Sequence, residues 1–351
     1  MPPQHNLETT WRQRDNMEES HRLIRKYSRF IPIKKWRHDF RETLINTLHT
    51  QKGAILQDYA KLVTPTNDRE TQKQILKRNV RLVEIEIASF CNRKCWFCPN
   101  SFVDRYSSSI ELPEHAYLKI IDNLAEIDYS GMINFHRFNE PLANKELILK
   151  RVKQARKSLP KALLGIFTNG DYLDRDYLDS LREVGIGHIT MSYYFGKNIE
   201  FDVENVIKPA INKMANKLNL QYKEVVNDDR QYGVRFIYDG MDMIYRAWNP
   251  RVNASNRAGS INDECIPSVK RDFPCYYPLR EIFIDYNGLV MPCCNMRSDV
   301  ETHKQFVLGD IAEVDLFELF MNEKFIKIRK ALMSNTPQYE VCKYCDYKIN
   351  L

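Results

Sequence analysis

Apolar positions change their period near residue 81. Before that point they recur at helical spacing, with Pro32 and Pro65 as breaks, and predict a helical segment. After it, short apolar runs alternate with longer amphipathic ones. Arg81–Ile87 (RLVEIEI) alternates like a strand with one mixed face, and Glu114–Ile127, just after Pro113, reads as a helix. Gly131–Phe135 predicts a strand, and Asn144–Ser158 a helix capped by Asn144. Ala162–Phe167 predicts a strand ending in Thr168-Asn169-Gly170, Arg175–Val184 a helix and His188–Tyr193 a strand. Glu200–Leu218 follows as a long helix and Val234–Tyr238 as a further strand. Such alternation implies an α/β fold, a barrel or an open sheet, with parallel strands inside and helices outside. Chemistry in these folds collects at the C-terminal ends of the strands. After Asp239 the pattern becomes irregular and cysteine-rich, which places a boundary near 260–270.

Composition excludes several classes. With 351 residues, 43% hydrophobic and 28% charged, the chain suits two or three globular domains. No apolar run approaches the roughly 18 residues of a membrane span. The polar stretch Met1–Asp15 lacks the apolar core of a secretory signal. A cytoplasmic location is therefore expected, with the nine cysteines reduced and available to metals or catalysis. The net charge of +6 is unevenly placed: residues 1–80 hold 16 Lys and Arg against 9 Asp and Glu. The excess centres on residues 22–41, where Tyr27, Phe30 and Trp36 interleave with Arg25, Lys26, Lys34 and Lys35. Such a segment suits a solvated helix face, or peripheral contact with an anionic membrane or acidic partner. Nucleic acid is not expected as a partner, because the remaining residues are not basic.

Cys91, Cys95 and Cys98 form C-x3-C-x2-C directly after the first predicted strand. Three thiolates so close can wrap one soft metal centre. Structural zinc normally takes four ligands, and the next His or Cys is His115. The run CNRKCWFC in this place resembles the radical S-adenosylmethionine (SAM) superfamily. The resemblance implies a partial (β/α)6 TIM-like barrel. It also implies a [4Fe-4S] cluster on the three cysteines whose open iron binds SAM, and Phe97 packed by the adenine. Phe138-Asn139-Glu140-Pro141 after the second strand is similar to the family's SAM-binding turn, with Asn139 where Gly is usual. Asn139 and Glu140 are then expected at the SAM amino group, Thr168 and Asn169 along its pocket and Ser192 at its ribose.

The later cysteines form a second set. Asn287-Gly288 between EIFID and LVMPC predicts a hairpin carrying Cys293 on its return strand. Cys275, Cys293 and the C-x2-C pair Cys342 and Cys345 supply four thiolates, suited to a [4Fe-4S] cluster or to zinc. Their spacing resembles the twitch domain, a short relative of the SPASM domain found in radical SAM enzymes. That resemblance implies one auxiliary [4Fe-4S] cluster and leaves Cys265 and Cys294 spare. The expected domains are a basic helical extension (1–80), a radical SAM core (81–262) and a twitch/SPASM-like domain (263–351).

CNRKCWFCPNS, INFHRFNEPL, FTNGDYL, SNRAGSI, GLVMPC, NEKFIKIRKAL and CKYC together resemble the twitch-type radical SAM dehydrogenases that act on an aminocyclitol. The resemblance implies oxidation of a secondary alcohol on a small, sugar-like molecule, with the auxiliary cluster accepting an electron. It also implies an electron donor such as flavodoxin or ferredoxin, and places Arg257 beside the substrate hydroxyl. A fixed cation there stabilises the developing oxyanion, whereas an arginine is too weak an acid to serve as a base at neutral pH. Phe138, Asn139, Cys294 and Asn295 depart from that group's residues, so a different substrate is expected. A peptide-modifying maturase and a non-enzymatic zinc-stabilised binding module are the alternatives.

Overall fold

The computed structural model describes residues 59–266 and 269–345. The basic stretch 22–41 and the break at Pro32 lie outside them. Of the expected N-terminal helical segment, residues 59–62 and α1 (Arg69–Asn79) are helical, separated at Pro65.

The elements that follow are β1 (Leu82–Ile85), α2 (Glu114–Glu126), β2 (Met132–Asn134), α3 (Lys145–Ser158), β3 (Leu163–Thr168), α4 (Arg175–Glu183) and β4 (His188–Tyr193). Asn144 caps α3 by accepting from the Leu147 amide. β3 and β4 are buried along almost their whole length, as parallel strands covered by helices must be. The helices bury apolar stripes, Tyr117, Ile120, Ile121 and Leu124 on α2 and Ile148, Val152 and Ala155 on α3.

Beyond β4 the structure departs from simple alternation. The expected helix Glu200–Leu218 is a widened turn, Val203–Ile207, followed by α5 (Lys208–Leu218). Pro209 has no N–H to return to Asn205, so a regular α-helix cannot run through this stretch. The strand expected at Val234–Tyr238 is β6 (Gln231–Phe236), lying between β5 (Tyr222–Asn227) and β7 (Asp242–Trp248) in an antiparallel meander. The short turn at Asp239-Gly240 cannot make a parallel crossover, which needs a dozen or more residues, so β7 runs antiparallel to β6. β7 then takes the parallel place beside β4.

The C-terminal region joins the same sheet. β8 (Glu281–Ile284) pairs in parallel with β1, and β9 (Leu289–Met291) returns antiparallel to it through Asn287-Gly288. Gly288 sits at φ 83, as the tight turn requires. β10 (Gly309–Asp310), α6 (Leu316–Met321) and α7 (Glu323–Leu332) complete the region. The ten strands follow the order β10-β9-β8-β1-β2-β3-β4-β7-β6-β5, and six of them, β8 to β7, run parallel. Among the described residues no helix is long and apolar enough to cross a membrane.

Candidate active site

The loops at the C-terminal ends of the parallel strands close over a cavity of about 420 Å³. It collects Cys91, Cys95, Phe97 and Cys98 from the loop after β1, and Asn139 and Glu140 from the turn after β2. Thr168 and Asn169 enter from the end of β3, Ser192 from β4, and Arg257 from the loop beyond β7. The ten residues expected at the first cluster, the SAM pocket and the substrate hydroxyl therefore line one chamber.

Side-chain amides fasten the cysteine loop to the turn after β3. Asn169 donates to Asn92 at 2.7 Å, Asn92 donates to Asp171 at 2.8 Å, and Arg93 pairs with the same carboxylate. Within the loop, the Cys98 amide donates to the Cys95 carbonyl and the Cys91 amide to the Arg105 carbonyl, both at 2.9 Å. Phe97 lies with its ring centroid 5.6 Å from that of Tyr194. Glu140 is almost wholly buried and accepts from the Thr168 hydroxyl at 2.6 Å, the Asn169 amide at 2.7 Å and the Leu142 amide at 3.1 Å. Burial pushes its carboxyl up to about 7 against these hydrogen bonds. An ammonium group at this carboxylate would return it to the charged form. Asn139 does not adopt a positive φ, so the absence of the usual glycine costs the turn nothing.

Cys91, Cys95 and Cys98 are free thiols placed near enough to bear on one another electrostatically. Burial pushes Cys91 and Cys95 up to about 12, so iron must displace their protons on binding. Three soft donors at the wall of this chamber fit a four-iron cluster. Among the described residues no group of three or more His, Cys, Asp and Glu is arranged around a single metal ion.

The second set also converges. Cys275, Cys342 and Cys345 are buried, and Cys293 and Cys345 both bear on Cys275 and on Cys342. Four free thiols, three of them buried, fit a fully ligated cluster. Cys294 lines the active-site chamber instead, and the hydrogen bond between the adjacent thiols pushes Cys293 down and Cys294 up. Cys265 lies elsewhere, accepting from Arg251. Asn295 ties the second set to the chamber. Its amide donates to Cys293 Sγ at 3.4 Å, and its Oδ1 accepts from Arg257 at 3.0 Å. Arg257 and Ala258 hold φ of 46 and 53, backbone strain of the kind that persists where surrounding structure fixes a functional side chain.

Sequence reasoning missed Glu84, Asn134, His136, Arg246, Trp248 and Glu281, which also line the chamber. Glu84 and Glu281 come from adjacent parallel strands, with Leu82 opposite Glu281 and Glu84 opposite Phe283. Burial pushes Glu84 up to about 7, while Arg137, the Asn134 amide and Arg257 pull the other way. Burial and the nearby Arg246, Arg137 and Arg257 push His136 down to about 3, leaving a neutral imidazole. The alternation of Glu84 and Glu86 in an otherwise apolar strand was the available signal. Arg246 and Trp248 gave none, because β7 itself was not recognised.

Comparisons with known proteins agree on the architecture. The profile of the Radical SAM superfamily matches residues 85–244, and that of the SPASM iron-sulfur cluster-binding domain matches 275–346. The S-adenosyl-L-methionine-dependent 2-deoxy-scyllo-inosamine dehydrogenase of Niallia circulans is 28% identical over 267 residues, 76% of this chain and 92% of that enzyme. The PqqA peptide cyclase of Granulibacter bethesdensis is 30% identical over 124 residues, 34% of this chain and 29% of that enzyme. The crystal structure of BtrN in complex with AdoMet and 2-DOIA superposes with a TM-score of 0.56 at 25% identity, covering 76% of this chain and 93% of that one.

Proposed function

We propose, from the premise that this chain belongs to the radical SAM superfamily and carries a SPASM-type C-terminal region, that it oxidises a secondary alcohol of a sugar- or aminocyclitol-type molecule. Its cofactors are SAM and iron–sulfur clusters. The observation that carries the reading is the single chamber shared by the Cys91–Cys98 loop, the Glu140–Thr168–Asn169 turn and Arg257, bordered by Cys294 next to Cys293. We divide the chain into an extension (1–80), a core (81–262) and an auxiliary-cluster region (263–351).

Cys91, Cys95 and Cys98 hold the first cluster, and Cys275, Cys293, Cys342 and Cys345 the second. When bound, the first cluster and SAM would supply radical chemistry for removal of a carbon-bound hydrogen atom, and the second cluster would supply an acceptor for the electron left behind. The chain's own residues arrange the rest. Phe97 packs by the adenine and Ser192 faces the ribose. Glu140 receives the SAM ammonium while holding Thr168 and Asn169 in place, and Asn139 lies beside it. Arg257 stabilises the substrate oxygen as its proton leaves. Glu84 takes that proton, because a carboxyl raised to about 7 has the basicity a neutral-pH general base needs. A flavodoxin- or ferredoxin-type protein supplies the reducing electron.

Carbinol-deuterated 2-deoxy-scyllo-inosamine and related aminocyclitols and sugars test the reading. The expected result is ketone product with deuterium appearing in 5′-deoxyadenosine. A panel that yields neither, from enzyme that cleaves SAM, would refute the substrate class. A peptide substrate is the alternative, carried by the partial match to the peptide cyclase. Deuterium transfer from a peptide would establish it.

A further inference from the structure

Arg137 is a buried cation that the chemistry proposed above does not use. Arg137 precedes the Phe138-Asn139-Glu140 turn, and its side chain has no solvent exposure. Its Nη1 pairs with the carboxylate of Asp285, whose side chain is equally buried. Its Nη2 donates to the backbone carbonyls of Cys293 at 3.0 Å and Met296 at 2.8 Å. Asp285 follows β8 and accepts in turn from the Ser298 amide at 2.6 Å. The guanidinium thus stands between the carboxylate and the Cys293 loop, presenting its positive side to that loop. A buried ion pair is weak evidence for stability, since apolar residues of similar volume often do as well.

We propose that Arg137 sets the reduction potential of the cluster held at Cys293, acting as a fixed buried cation that favours the reduced form, with Asp285 as its opposing charge. The proposal rests on the reading of Cys275, Cys293, Cys342 and Cys345 as ligands. Reduction adds a negative charge, and a nearby cation in a low-dielectric interior stabilises it. During oxidation the carbinol carbon loses a hydrogen atom and its oxygen a proton. One electron then remains, and it passes to this cluster as C–O becomes C=O. A one-electron redox protein reoxidises the cluster. By raising the potential, Arg137 makes the cluster a better acceptor for that electron. It is a positioning residue and does not touch the reacting atoms.

The test uses a full chain with Cys91, Cys95 and Cys98 all replaced by Ala, which leaves only the second cluster, titrated potentiometrically under anaerobic conditions. R137M should make reduction about tenfold less favourable, roughly 59 mV lower for a one-electron couple. R137K should stay near the parent, and D285N should move the potential upward. Opposite shifts in R137M and D285N are what a charge effect produces and a packing disturbance does not. Intact clusters whose potentials move in neither variant overturn the proposal alone. A parent protein without iron overturns the ligand assignment and the proposal with it. Should R137M not assemble, D285N decides: a raised potential supports the role of the pair, and an unchanged one refutes it.

Discussion

Glu84 and Arg257 divide between them two properties that no single side chain in the chamber combines. Arg257 keeps its charge at any accessible pH and so offers a fixed field, but it cannot accept a proton. Glu84 can accept one, because burial lifts its carboxyl to about 7. A base works only when deprotonated, so kcat/KM should rise with pH through about 7 and level off above it. Glu84→Gln should remove that limb and lower kcat/KM by about a hundredfold. A pH–rate profile unchanged by the substitution would assign the proton elsewhere. At this scale the cysteines were legible in the sequence, because C-x3-C-x2-C and C-x2-C are local patterns. Arg137 and Glu281 were not, because Cys293 and Glu84, which they adjoin, are brought near only by folding, and Asn295 stood out as a departure without its bond to Arg257 being visible.

The hairpin between β8 and β9 connects sheet register to metal binding. Gly288 at φ 83 turns the chain so that Cys293 falls beside Cys275, Cys342 and Cys345. A β-carbon on Gly288 would lie 2.9 Å from Asp310 Oδ1, and any L side chain would be strained at that φ. Gly288→Val should therefore cost about 1–3 kcal/mol. It should also lose the second cluster, about four irons, while the first is retained. Iron content and thermal midpoint of the variant check both. This turn was visible in Asn287-Gly288, and β4 was visible residue for residue in His188–Tyr193. β5 was not, because YKEVVN is mostly solvent-facing at the sheet edge and shows little buried alternation. β7 escaped for another reason: the chain returns through a tight turn where an α/β pattern leads one to expect a helix.

Across the whole molecule, buried charges join the first strands to the C-terminal region. Arg105 donates to Glu86 at 3.2 Å and to Asp299 at 2.9 Å, and Arg297 donates to Asp299 and to Asn100. Together with the β1–β8 pairing, these contacts hold the two cysteine sets to one framework. Arg105→Met would remove the paired cation of Glu86, which has no exposure and would keep only the Phe138 and Tyr286 amides as donors, and should cost about 3–5 kcal/mol in stability. A thermal midpoint close to that of the parent would show that the network contributes little. The shared sheet was not legible in advance. Linear reading placed a boundary at 262/263, whereas β8, from beyond it, pairs with β1 at the start of the core.

The central claim is that Cys91, Cys95 and Cys98 hold a cluster that opens SAM. Its most direct test is anaerobic reconstitution of the full chain, reduction, addition of SAM and measurement of 5′-deoxyadenosine, with iron and acid-labile sulfide determined on the same sample and on Cys98→Ala. Two cubes predict about eight irons in the parent, with 5′-deoxyadenosine that disappears in Cys98→Ala. Protein that binds no iron, or 5′-deoxyadenosine formed equally by Cys98→Ala, would contradict the account.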